Sequence, residues 1–171
     1  MAYNVVRTRF DFEFELIPDP GVGLLEFAAD INSVSSRFSP SWQQFMEVGR
    51  ADPKILYSQY VKEVDLDFNV VATSETDNNV HQVFQKLDNL AKAAAPQYYS
   101  STNSYQGHFL RFTIGNLFSR EIGYVSSLQY QWENDKTSWI DQLPVITRAN
   151  MTIIWVGKRM PQSSNKLYNY T

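Results

Sequence analysis

The sequence predicts a mainly β domain with one α-helix, arranged as two packed antiparallel sheets closing towards a barrel, with the helix at about residues 79–95. Three observations lead to that class. Several stretches alternate large apolar residues with charged ones, the period of a strand that buries one face. The period lengthens to that of a helix in one place only. Aromatic residues make up 15% of the 171, and such residues favour strands and buried interfaces.

Over residues 9–16, Phe10, Phe12, Phe14 and Leu16 alternate with Asp11, Glu13 and Glu15, which makes a half-buried strand. Pro18-Asp19-Pro20-Gly21 ends it, because proline donates nothing to a ladder and Gly21 accepts turn geometry. Leu25, Phe27, Ala29 and Ile31 mark a second strand, and residues 33–40 read as polar extended chain or loop. From Trp42 to Tyr60 the periodicity is poor, with Gly49-Arg50-Ala51-Asp52-Pro53 marking a loop, so no element is assigned there. Val64, Leu66, Phe68, Val70 and Ala72 then alternate with Asp65, Asp67 and Asn69 as another strand.

The helix follows. Val80, Val83, Phe84, Leu87, Leu90, Ala91 and Ala94 fall at helical spacing, Thr76 or Asp77 can cap the start, and Pro96 ends it. After a polar loop at 100–105, candidate strands lie at 109–114, 122–132 and 151–156. In the last, Met151, Ile153 and Trp155 oppose Ile154 and Val156, as expected of a strand covered on both sides or clamped in an assembly. With no internal repeat or linker, residues 1–160 read as a single domain and 161–171 as a polar tail.

A chain of this length buries roughly 70% of the surface its unfolded form exposes, so a conventional core needs no staples. The absence of cysteine excludes a disulfide framework, a thiolate metal site and a cysteine nucleophile. Net charge is −3, which gives no overall reason to bind nucleic acid. That total hides a split: residues 1–75 hold 12 acids and 6 bases, residues 76–171 hold 6 acids and 9 bases. Arg7, Arg9, Asp11 and Glu13 stand where a signal peptide would need an apolar run, so the chain is expected in the cytosol when made, with no membrane insertion.

Residues suited to catalysis are sparse. His81 and His108 are the two histidines, and both read as solvated or core residues. Gly21-Val22-Gly23 lacks the third glycine and following helix of a dinucleotide loop, and no G-x-S-x-G elbow occurs. Asp11, Glu13, Glu15, Asp65 and Asp67 sit opposite rows of large apolar residues, so they read as carboxylates facing solvent or a channel rather than as a metal or acid–base cluster. Asn150-Met151-Thr152 and Asn169-Tyr170-Thr171 match the glycosylation sequon in form only. No enzyme activity, cofactor or metal is expected. Aromatics at poorly periodic positions, among them Phe38, Trp42, Phe45, Tyr57, Tyr60, Tyr98, Tyr99, Tyr105 and Trp139, exceed what one core easily buries and indicate an obligate oligomer.

The order Ser41-Trp42, Gly49-Arg50-Ala51-Asp52-Pro53, Tyr57, the alternating strand at 65–72, the helix, Pro96-Gln97-Tyr98-Tyr99, residues 107–115 (GHFLRFTIG), Gly123-Tyr124-Val125 and Ser138-Trp139 resembles the tube-initiator proteins of phage baseplates and related contractile injection systems. The resemblance covers about residues 20–160 and rests on order rather than on any single piece. It implies a tail-tube fold, a homo-oligomeric ring of six-fold symmetry, and a place in the virion between hub and tube. The implied neighbours are tube, hub and wedge proteins, with DNA only in transit through the lumen. Candidate interface residues are Trp42, Phe45, Arg50, Tyr57, Trp139 and Trp155. Two alternatives remain: a main tube or secreted-tube subunit, and a small β-barrel carrier of an apolar ligand.

Overall fold

The computed structural model describes residues 10–17, 24–49, 51–72, 77–99, 104–132, 139–140 and 142–156. Element order is β1 (Phe10–Ile17), β2 (Leu24–Phe45), β3 (Lys54–Val71), α1 (Asp77–Ala94), β4 (Gln97–Tyr99), β5 (Ser104–Gln106), β6 (Phe109–Ile114), β7 (Phe118–Trp132), β8 (Trp139–Ile140), β9 (Leu143–Pro144) and β10 (Ile146–Trp155). The molecule is mainly β with one helix, as its alternation predicts.

Six strands pair antiparallel in the order β1-β2-β3-β10-β7-β6, and β6 pairs back onto β1, so hydrogen bonding runs full circle. Two separate packed sheets are therefore not what forms. One sheet curls until its own faces oppose, helped by an extra residue in β2 at Ile31/Ser33 and by extra residues in β7 where it passes Thr152/Ile153 of β10 and Phe112/Ile114 of β6. Small two-stranded pairs, β4 with β5 and β8 with β9, stand apart from it.

The interior is filled by the inward parity of each strand. Phe14, Val64, Leu66, Phe68, Leu110, Phe112, Phe118, Ala149, Met151 and Ile153 are fully buried. Phe112, Phe118 and Trp155 form a chain of ring contacts with centroids 5.5 and 5.6 Å apart. Gly123 is required where it is: a Cβ there would lie 2.6 Å from the Ile154 carbonyl oxygen and 2.7 Å from Ile153 Cγ2.

The helix fills the gap between β2 and β7 on the core side. Val80, Leu87 and Leu90 are buried, whereas Val83 and Phe84 are half-buried, so the docking face is narrower than its apolar spacing suggests. The Tyr130 hydroxyl on β7 donates to the Leu87 carbonyl at 2.7 Å, tying helix to sheet, and its burial pushes that phenol well above the ordinary tyrosine range. Thr76, one of the two cap candidates, lies outside the described residues. Among the described residues no helix is long and apolar enough to cross a membrane.

Candidate assembly surface

Three surfaces stand out among the described residues. The first is an arm. β2 and β3 stay paired far beyond the rest of the sheet: β1 pairs with β2 from Leu24 to Ala29 and β10 pairs with β3 from Glu63 onward, yet the β2–β3 ladder continues to Phe45↔Lys54. Residues 33–40 are thus strand rather than loop, and the unassigned 42–60 region is a hairpin turning near Gly49, whose φ of +90° suits glycine alone. Its periodicity is poor in sequence because both faces are solvated, so no burial pattern selects one of them. Trp42 meets Tyr57 edge-on at 5.0 Å, Phe38 stacks on Tyr60 at 6.1 Å, and Lys54 pairs with Glu47 at 3.4 Å.

Both faces of this arm are apolar. A register shift at Ser41/Trp42 sets Trp42 opposite Tyr57, and alternation puts Ile55 on the same face, while Leu56 and Phe45 lie on the other. Trp42 is 60% exposed, and Phe45, Met46, Val48, Ile55, Leu56 and Tyr57 are all exposed. Exposed apolar area this concentrated marks an interaction surface.

The second surface is a pair of strand edges. Among the described residues, β3 is the strand that pairs with β2 beyond Ala29, and β10 is the one that pairs with β7 beyond Gly123. These two edges bound a four-stranded sheet, β2-β3-β10-β7, in which every neighbour is antiparallel.

The third surface is that sheet's outward face. Its near rows are polar: Ser33, Asp67, Asn150 and Gln129 form one, with Asn32 bulged beside it, and Ser35, Asp65, Thr152 and Ser127 another. Asp65 accepts from Thr152 Oγ1 at 2.7 Å and from Ser35 Oγ at 3.4 Å. Asp67 is clasped in bidentate fashion by Arg148 and accepts from Asn32 Nδ2 at 3.0 Å, and the hydrogen bonds from Arg148 hold its carboxyl below the usual carboxylate range. Asp67 is therefore not a free charge; Arg148 of its own chain neutralises it. Asp11, Glu13 and Glu15 lie on β1, and their side chains are outside the described residues.

Of the six candidate interface residues, Trp42, Phe45 and Tyr57 come together on the arm, Trp139 is exposed on the short strand β8, and Arg50 lies outside the described residues. Trp155 is corrected: it is 3% exposed, in the inward parity of Met151 and Ile153. Its indole N–H donates to Glu121 at 2.9 Å, and Lys62 Nζ sits 4.0 Å from the ring centroid, so it closes the arm end of the core. Burial there holds the Lys62 ammonium below the ordinary lysine range, against the opposing charge of Glu121. His108 is buried and His81 exposed.

Sequence reading missed Ile55 and Leu56 on the arm. It also missed an apolar band on the outward face beside β6, Phe109, Ile122, Tyr124 and Val156, all exposed. The detectable signal was apolar residues at the solvent parity of otherwise alternating strands.

No protein-family model matches the chain, and no curated protein matches it. Among solved structures, a chain of the anti-feeding prophage baseplate, determined by cryo-EM with six-fold symmetrisation, aligns over 96% of this chain and 100% of its own, at 13% identity and a TM-score of 0.40.

Proposed function

We propose that the chain is a non-enzymatic structural subunit of a phage tail or related injection machine, forming a ring that initiates or extends the tube between hub and tube. The observation that carries this reading is the four-stranded sheet whose two edges are open among the described residues. Four antiparallel strands make β2 and β7 run in opposite directions. A copy related by simple rotation then offers its β2 to the neighbour's β7 in antiparallel alignment, and the alternation continues unbroken from subunit to subunit. Such heterologous pairing closes into a ring and removes every open edge at once.

The sheet's inward face is already filled by the core and the helix, so its polar face lines the lumen. Side chains there are short hydroxyls, amides and carboxylates, and the arginines on it, Arg37 and Arg148, are paired with Glu63 and Asp67, which leaves DNA phosphates little basic charge to hold them in passage. The arm, apolar on both faces, reaches beyond the ring and supplies the register for what stacks on it. The ligand-carrier alternative is disfavoured because the subunit interior is occupied by its own large side chains.

Sedimentation of the purified chain with negative-stain imaging tests the reading. Rings with a central channel are the expected result. A monomer that remains monomeric at high protein concentration, or one that releases a bound apolar molecule, overturns it.

A further inference from the structure

One face of the curled sheet changes character along its length. Arg148, Asn150 and Thr152 on β10 lie beside Gln131, Gln129 and Ser127 on β7, a polar surface throughout. Two residues further, Ile154 lies beside Tyr124, and the Val156 amide donates to the Ile122 carbonyl at 2.8 Å. Phe109 of β6 meets Tyr124 edge-on at 6.4 Å. Phe109, Ile122, Tyr124 and Val156 are each between 40% and 49% exposed, so an apolar band borders a water-facing one on the same face. Their own core does not lie against them, because the inward parity of β6 and β7 is held by Leu110, Phe112 and Phe118.

We infer that this band is the seat for the Trp42/Ile55/Tyr57 face of the arm from a second copy of the chain in the same ring, an inference that rests on the edge-paired ring proposed above. The path of β2 commits the occupant. Residues 30–39 and the arm are one continuous strand, so wherever the edge of β2 is held, the direction of the arm is also set. A neighbour's β2 aligned antiparallel to β7 travels from Trp132 towards Ile122. There β6 already occupies the edge of β7, with Leu110 opposite Gly123 and Arg111 opposite Ile122. The incoming strand can no longer stay in the plane of the sheet. On the core side it would meet buried Phe112 and Phe118; on the outward side it meets the apolar band.

The chemistry of the two surfaces agrees with that path. Each presents an edge-on aromatic pair, Trp42–Tyr57 on the arm and Phe109–Tyr124 on the band, flanked by branched aliphatics. Aromatic groups of this kind, half-exposed in one copy and desolvated in the complex, dominate protein interfaces. The opposite arm face, Phe45 and Leu56, is left uncovered by this contact and stays available to the next layer of the stack.

The chain contains no cysteine, so single-cysteine variants report the contact cleanly. Tyr57→Cys and Ile122→Cys replace exposed residues, and the two proteins are mixed under assembly conditions, oxidised and resolved by mass, with imaging of the same samples. A mixed disulfide dimer as the main product, with rings present, is the expected result. Rings without the mixed dimer overturn the seat and leave the ring reading standing. A mixed dimer without rings keeps the arm contact and overturns the edge-paired ring. A dominant Tyr57→Cys homodimer means that arms meet each other across a two-fold axis and overturns the seat, and the absence of both rings and disulfides overturns both proposals.

Discussion

Two halves of the same hairpin behave in opposite ways. In β3, residues from Lys62 onward alternate strictly between buried and half-buried, whereas residues 54–59 are exposed at every position. The backbone pairing with β2 is the same in both halves. What differs is the opposite side: the lower half buries its inward residues in the shared core, and the upper half is exposed among the described residues. Strand formation is therefore a property of the ladder, while burial is a property of what the ladder packs against. The arm is a piece of sheet whose apolar side chains remain exposed on both faces.

The comparison breaks most clearly under large-to-small substitution. Phe112→Ala in the body removes a fully buried ring and is expected to cost about 3–5 kcal/mol in urea unfolding. Trp42→Ala on the arm should cost the isolated subunit less than about 1 kcal/mol, since exposed positions contribute little, while it abolishes ring formation seen by sedimentation. Comparable losses of subunit stability from the two variants would show that the arm is folded against its own body.

A smaller effect is expected where the sheet is tightest. Gly123→Ala drives a methyl into the Ile154 carbonyl and should destabilise by about 1–3 kcal/mol, with the unfolding slope unchanged. Tyr130→Phe deletes the hydroxyl that reaches the Leu87 carbonyl and should cost about 0.5–1.5 kcal/mol. If that variant unfolds as the parent does, the helix is held by its apolar face alone.

The smallest effect is electrostatic and belongs to the polar rows on the outward face of the sheet. The folded carboxyl of Asp67 titrates below its unfolded counterpart, so its stabilising contribution is present above the unfolded value and is lost as pH falls through the folded one. Urea midpoints between neutral and acid pH should fall further for the parent than for Asp67→Asn. Parallel curves would mean that the Arg148 clasp is fully screened by solvent.

Much of the body was legible because its strands are each buried on one side. Val64 to Ala72 and the stretch from Phe109 to Ile114 alternate in sequence as they alternate in space, since water on one face and core on the other impose a period of two. The helix was legible for the same reason at its own period. Trp155 was misassigned because an aromatic at a strand end carries no label for its destination; only the position of Lys62 and Glu121 around the indole shows that it seals the core.

The sequence by itself determined the alternating strands of the body and the helix, because alternation and helical spacing are set by which residues must leave water. Only the tertiary structure decided the rest: that one sheet curls onto itself in place of two that pack, that β2 and β3 run on as an arm, and that apolar side chains gather on its faces and on the band beside β6. Those outcomes depend on registers, bulges and strand lengths. Such features are fixed by the combined packing of many residues distant in sequence, and no local pattern encodes them.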